Sequence, residues 1–385
     1  MRALPVLLRA AATGGVALVF LGVIAWSLGH ALPTPTLWDF GSFVASGRAA
    51  AEGLDPYGLY PLTFRVVMDG FEIWNPNLNP PAALPLFHLL SFLDPHEAFR
   101  IWWSLSAVSY AITVALLAHR FSNRRWVVPV LFAAALAGFW DTLVLGQIYT
   151  PLVLAGVAGW LLLDRNRPIA AGIAIGIVVA VKPNFLVWPV LLFLAGHTRA
   201  PIAAAATAAV LAVIPVALYG PEVYLQWANL VAGDGARAAF LSNASMAGIL
   251  HRIGAGPFAL VPGVVLLGML AFWVLRQRPT VFQASAVGLA ASIAASPLAW
   301  VHYTLFLLPV FFAGPASAPM IVAGLLLVIP VPLILELSTT PPIVQATVGS
   351  VYGWATLLVL WTSLGAIRAE SPVHAGRTAS SVAAE

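Results

Sequence analysis

The chain contains no cysteine, so disulfides, thiolate metal sites and cysteine nucleophiles are all excluded. Charge is nearly as scarce. Only 8% of its 385 residues are charged, against about 25% in a soluble domain, too few to cover a water-facing exterior. Of the 18 basic residues, a single one is lysine, Lys182. The sequence also lacks a P-loop, a GxGxxG after a strand, a DxD pair and an HExxH helix, which removes the usual nucleotide and zinc-protease signatures. What is abundant is apolar. Hydrophobic residues make up 61% of the chain and mean hydropathy is +0.94. They fall in runs close to the roughly 20 residues that cross a bilayer core. The net charge of +4 comes from scattered arginines, a pattern that fits the positive-inside rule and membrane lipids as partners, with no nucleic acid.

Arg2 and Arg9 precede an apolar run that resembles a signal peptide. The run is longer than a normal h-region and further spans follow, so an uncleaved first span is expected. Apolar runs then fall at about 10–31, 97–119, 126–140, 143–163, 168–181, 184–195, 201–219, 258–275, 281–297, 300–313, 319–335 and 343–365. The sequence thus predicts one all-α polytopic membrane domain, 1–385, with about 12 (10–12) transmembrane helices. Pro183 and Pro297 mark breaks between short runs. The apolar stretch 81–93 is expected to lie flat on the outer surface as an interfacial helix. With both termini on the cytoplasmic side, twelve arginines face inward and six cations outward. Of the 14 acidic residues, only Asp164, Glu370 and Glu385 lie inside. Polar chemistry therefore gathers on the external side, where two long hydrophilic segments lie, 33–96 and 220–257. The tail 369–385 reads as disordered.

Asp39 stands just past the first span. A carboxylate at a membrane boundary gains basicity from partial desolvation, which suits a general base; a helix N-cap is the competing role. Asp55, before a proline in a turn, reads as structural. Lys182 lies directly before Pro183 at the outer end of its span. A phosphate partner would offset its insertion cost, and a snorkelling lysine without ligand is the alternative. In the segment Asn243–Ile253, Arg252 is a candidate for phosphate and Asn243 for a sugar hydroxyl, although loop polar groups are often only solvated. His302, beside a proline break, and Asp141 and Gln147 fall on the same face, His302 being equally readable as a packing residue.

These residues carry a resemblance. The pattern from Asp39 to Tyr57, NPPAALPLFHLLSFL from Asn79 to Leu93, GQIYTPLVL, Lys182-Pro183, NASMAGILHRI and SPLAWVHY follow one another in the order of the family 87 glycosyltransferases of the GT-C superfamily. Two departures stand out: GQIYT carries tyrosine where asparagine is expected, and SPLAWVHY carries one histidine where a pair is common. The resemblance implies a GT-C-type fold with interfacial helices flanking the site. It implies a cell-envelope mannosyltransferase in the inner or plasma membrane that takes a sugar from a polyprenyl-phosphate donor and passes it to a glycolipid or glycan hydroxyl at the external leaflet. In that scheme Asp39 is the catalytic base of an inverting displacement. Lys182, Arg252 and His302 serve the donor phosphate, Asn243, Gln147 and Asp141 bind substrate, and no metal or other cofactor is required. A transporter or flippase of lipid-linked sugars and a noncatalytic scaffold are the rival classes. The first would show internal repeats, and the second would not need Asp39, Lys182, Arg252 and His302 to converge.

Overall fold

Proline and glycine punctuate the apolar sequence, and most helices of the computed structural model start or stop near them. The structure describes residues 3–32, 36–68, 71–122, 126–233 and 235–365. In chain order, α1 (Ala3–Ala31) and α2 (Trp38–Ala51) precede a hairpin of β1 (Phe64–Met68) and β2 (Phe71–Asn75). A 3-10 turn, Pro81–Ala83, runs into α3 (Leu84–Leu90), followed by α4 (Pro95–Phe121), α5 (Val127–Ala135), α6 (Ala137–Leu145), α7 (Tyr149–Asp164) and α8 (Pro168–Val181). After Pro183–Leu186 come α9 (Val187–Leu194), α10 (Arg199–Tyr219), α11 (Glu222–Ala232) and α12 (Met246–Arg252). The remainder is α13 (Val261–Gln277), α14 (Val281–Ala294), the 3-10 segment Val301–Leu307, α15 (Leu308–Ala313), α16 (Ala318–Leu327), α17 (Val331–Leu335), α18 (Pro342–Thr347) and α19 (Val351–Leu364).

Each predicted apolar run carries helix, yet runs and spans are not the same count. Among the described residues, five helices are long and apolar enough to cross a membrane, or up to seven if two bent pairs are single spans. The bends are 46° between α5 and α6 and 85° between α16 and the segment Val331–Thr339. The other runs form helices of 10–17 residues; at 1.5 Å per residue, 14 residues reach only about 21 Å of a core about 30 Å thick. Among the described residues the only sheet is a two-stranded hairpin. Its strands pair antiparallel, Phe64 with Asn75 through Met68 with Phe71, and the intervening sequence is Asp69-Gly70, a strong hairpin signal. The tail 369–385 lies outside the described residues, as do Arg2, Arg124, Arg125, Arg368 and Arg377.

Packing is that of a membrane bundle. Gly172 and Gly176 of α8 face α10 so closely that an added Cβ would lie 2.3 Å from the Ala200 carbonyl oxygen and 2.6 Å from that of Ala204. Small residues four apart permit such an approach, which drives helix association in lipid. The outward faces of α10 and α13 expose Ile202, Val210, Val213, Val264, Met269 and Phe272, apolar surface of the kind lipid covers. Arg120 donates to Asp164 at 2.6 Å, tying α4 to one end of α7. Tyr149 begins the other end, where the two hydrophilic segments meet: Trp227 Nε1 donates to the Leu78 carbonyl at 3.1 Å, and Val223 packs with Tyr57 and Leu84 in a small second core.

Candidate active site

Several chain breaks aim the polar side chains at one cavity. At the start of α2, Trp38 has φ +39°, a left-handed conformation that costs a bulky residue roughly 1–2 kcal/mol. Its ring packs edge-on against Phe64 of the hairpin, centroids 4.8 Å apart. The N-cap is Leu37, with no side-chain cap bond, so Asp39 does not cap the helix. Its carboxylate turns inward instead: Oδ1 accepts from Asn75 Nδ2 and Oδ2 from Gln147 Nε2, both at 2.5 Å. Asp39 is buried, and burial pushes its carboxyl up to about 6, while the hydrogen bonds from Gln147 and Asn75 and the charges of Arg237 and Lys182 pull the other way. At neutral pH it is ionised yet more basic than an ordinary carboxylate.

Gly146 makes the second break. Its φ of +69° ends α6 in a left-handed turn, and a Cβ there would lie 2.6 Å from Phe40 Cβ. The turn sends Gln147 back towards Asp39 and is fixed by Trp102 Nε1, which donates to the Gly146 carbonyl at 3.0 Å. The third break is Pro183, which disfavours helical geometry at the preceding residue. Lys182 accordingly leaves the helix at φ −137°, ψ 86°. Its ammonium donates to Asn79 Oδ1 at 2.7 Å and sits 4.6 Å from the ring centre of Tyr149 and 5.7 Å from that of Tyr303, a favourable seat for a desolvated cation. Asn79 is held by Asn77 at 2.8 Å and Asn77 by Ser46 of α2 at 2.9 Å, so the lysine's partner is anchored to the helix that carries Asp39.

His302 sits in the 3-10 segment Val301–Leu307. Gly138 lets α6 approach that segment, since a Cβ there would lie 2.7 Å from the Val301 carbonyl oxygen. Asp141, one turn further, thereby brings Oδ2 to 3.0 Å from His302 Nε2. Among the described residues, neither buried ring nitrogen has a hydrogen bond. The ring stacks on Tyr149, centroids 4.9 Å apart and planes 6° from parallel. Asp39, Asp141, Gln147, Lys182 and His302 all line one cavity of about 580 Å³, joined by Asn75, Asn79, Tyr149 and Arg237, with Leu145, Phe240, Trp300, Val331 and Leu335 on its apolar wall.

Two sequence-predicted residues do not line the cavity. Arg252 is buried with its donors directed at the carbonyls of Ala239, Phe240 and Asn243 and at Ser350 Oγ, the last at 2.6 Å. Burial lowers its pKa only to about 10, so it remains a cation. Asn243 accepts from the backbone N–H groups of Ser245 at 3.1 Å and Ala299 at 3.0 Å and donates to the Ala238 carbonyl at 2.8 Å. In the structure both side chains satisfy backbone groups of an irregular segment that has no ladder to do so. The Arg252→Leu variant is expected to melt several degrees lower in a detergent thermal-shift assay, because each orphaned buried carbonyl costs about 1–3 kcal/mol. A selective loss of donor affinity in a protein of unchanged stability would contradict this placement. Asp55 is structural, its Oδ1 accepting from Tyr57 N at 2.9 Å.

Asn75, Arg237 and Tyr149 also line the cavity and are not among the sequence-predicted site residues. Asn75, Asn77 and Asn79, spaced by Pro76 and Leu78 and followed by Pro80 and Pro81, are the available sign of a rigid polar wall. Tyr149 is the residue that departs from the expected GQIYT pattern. Its ring contacts both Lys182 and His302, so the departure falls on the cavity lining. The profile of glycosyltransferase family 87 matches residues 77–301, a stretch that contributes Asn79, Asp141, Gln147, Tyr149, Lys182 and Arg237 to the cavity and stops short of Asp39 and His302. No curated protein and no solved structure matches the chain. The matched stretch is more than half of the chain and supplies most of the polar groups around the cavity, and the chain belongs to glycosyltransferase family 87, a membrane glycosyltransferase.

Proposed function

We propose that this glycosyltransferase moves a mannosyl-type sugar from a polyprenyl-phosphate donor to a hydroxyl of a glycolipid or glycan at the external leaflet, with inversion. One observation carries the reading: a single cavity joins a buried carboxylate, Asp39, to the chain's only lysine, Lys182. The acceptor oxygen attacks the anomeric carbon and its proton passes to Asp39. The bond from that carbon to the phosphate oxygen breaks, and the phosphate leaves with the electron pair. Lys182 faces the departing charge from a seat out of bulk water, where electrostatic stabilisation is strongest. His302 and Asp141, paired at 3.0 Å, orient the donor, and Gln147 holds the base. The scheme uses no metal or cofactor. The apolar wall of Leu145, Val331 and Leu335 suits a prenyl chain. The reading keeps a GT-C-type fold, with the cavity outward and both termini cytoplasmic.

The test is a transfer assay in nanodiscs comparing polyprenyl-phosphate mannose with nucleotide-linked mannose, using octyl mannoside as acceptor probe. The expected result is label on the acceptor from the lipid donor alone. Intact donor carried across the bilayer without cleavage would replace this reading with a flippase.

A further inference from the structure

Asn75, the last residue of β2, bonds in two directions. Its Nδ2 donates to Asp39 Oδ1 at 2.5 Å, and its Oδ1 accepts from Arg237 Nη1. Arg237 also donates through Nη2 to the Trp74 carbonyl. It lies in the 3-10 turn Gly235–Ala239 of the second hydrophilic segment and is 4% exposed. The order of these bonds is forced. A guanidinium only donates, so the amide oxygen must face it and the amide NH₂ must face the carboxylate. Gln147 donates to the other oxygen, so two amides fix the carboxylate plane and leave a lone pair on each oxygen for a substrate proton.

Other charged or titratable groups act on Asp39 from the elements around it: Lys182 at the end of α8, Asp141 on α6 and Tyr149 on α7. Of the two cations, Lys182 gives its hydrogen bond to Asn79, whereas Arg237 is linked to Asp39 through Asn75. We infer that Arg237 and Asn75 are positioning residues, a clamp by which the second external segment holds Asp39 and sets its basicity. This inference rests on Asp39 being the base. It makes the second segment, which supplies no reacting group, necessary for the geometry of the first. Both the Asn75 hydrogen bond and the Arg237 charge lower the Asp39 pKa, so losing either shifts it upward.

The experiment titrates Asp39 itself in nanodisc-embedded protein. The infrared carbonyl band of its protonated form is assigned by its absence in Asp39→Asn and followed against pH without substrate. The wild-type midpoint is expected near 6. In Asn75→Leu and Arg237→Gln it moves up by about one pH unit. Saturated transfer of polyprenyl-phosphate mannose to octyl mannoside falls about 10- to 100-fold through misplacement of the base. Arg237→Lys keeps the charge and returns the midpoint most of the way. An unchanged midpoint in folded Arg237→Gln overturns the clamp, and that variant carries the test even if Asn75→Leu does not fold. Full transfer activity in Asp39→Asn would instead remove the base assignment, an outcome the substrate-free titration keeps separate.

Discussion

Replacing Asp39 by asparagine is expected to lower the rate of transfer by about 10²–10⁴-fold, the usual contribution of a positioned general base. Asparagine keeps the size of the side chain but cannot take the acceptor proton. It would also turn an amide towards Gln147 or Asn75, each of which donates to Asp39 in the native site. The loss should therefore lie in kcat with little change in donor binding. The pH profile gives an independent check. The carboxyl is raised to about 6 by burial, and the ionised form is the active one. Above that value the base is present, and as pH falls through it the proton-accepting form is titrated away. The profile of kcat/KM should thus rise from pH 5 to 7 with a limb near 6. A limb near 4, where an ordinary aspartate titrates, would mean that Asp39 is not the group whose ionisation limits the reaction.

Lys182→Met is expected to cost about 10²–10³-fold in kcat, the scale on which a preorganised electrostatic donor acts. Methionine fills the space of the stem and removes the charge that faces the leaving phosphate. Stability should hold or increase, because a buried ammonium carries a desolvation cost that methionine does not. Single-turnover transfer and thermal shift together separate the two effects. Lys182→Arg should recover little. The seat formed by Asn79 Oδ1 at 2.7 Å and the Tyr149 ring at 4.6 Å receives a compact point charge, and a planar guanidinium on a different stem does not place its charge there. Wild-type kcat in Lys182→Met would remove the lysine from the chemistry.

The sequence by itself determined the membrane class, the positions of the apolar helices and the family resemblance. Those properties follow from local composition, hydrophobic run length and motif order, which need no knowledge of what packs against what. It also marked five residues that converge: Asp39, Asp141, Gln147, Lys182 and His302. Each is a polar or charged side chain placed against an apolar run, where desolvation makes its presence costly and hence legible. Span count was not legible in the same way, because apolar runs such as 168–181 become helices too short to cross on length alone.

Tertiary structure alone decided which polar groups face the cavity. Arg252 and Arg237 read alike in the sequence, two arginines in one hydrophilic segment. Arg252 is spent on the carbonyls of its own segment and Ser350, while Arg237 reaches Asn75 and Trp74, 162 and 163 positions away in the chain. Likewise Gln147 bonds Asp39 across 108 positions and Lys182 bonds Asn79 across 103. Which donor meets which acceptor over such separations depends on how helices pack. That packing is set by close approaches at Gly138 and Gly172 and by the turn at Gly146, contacts that no local window of sequence contains.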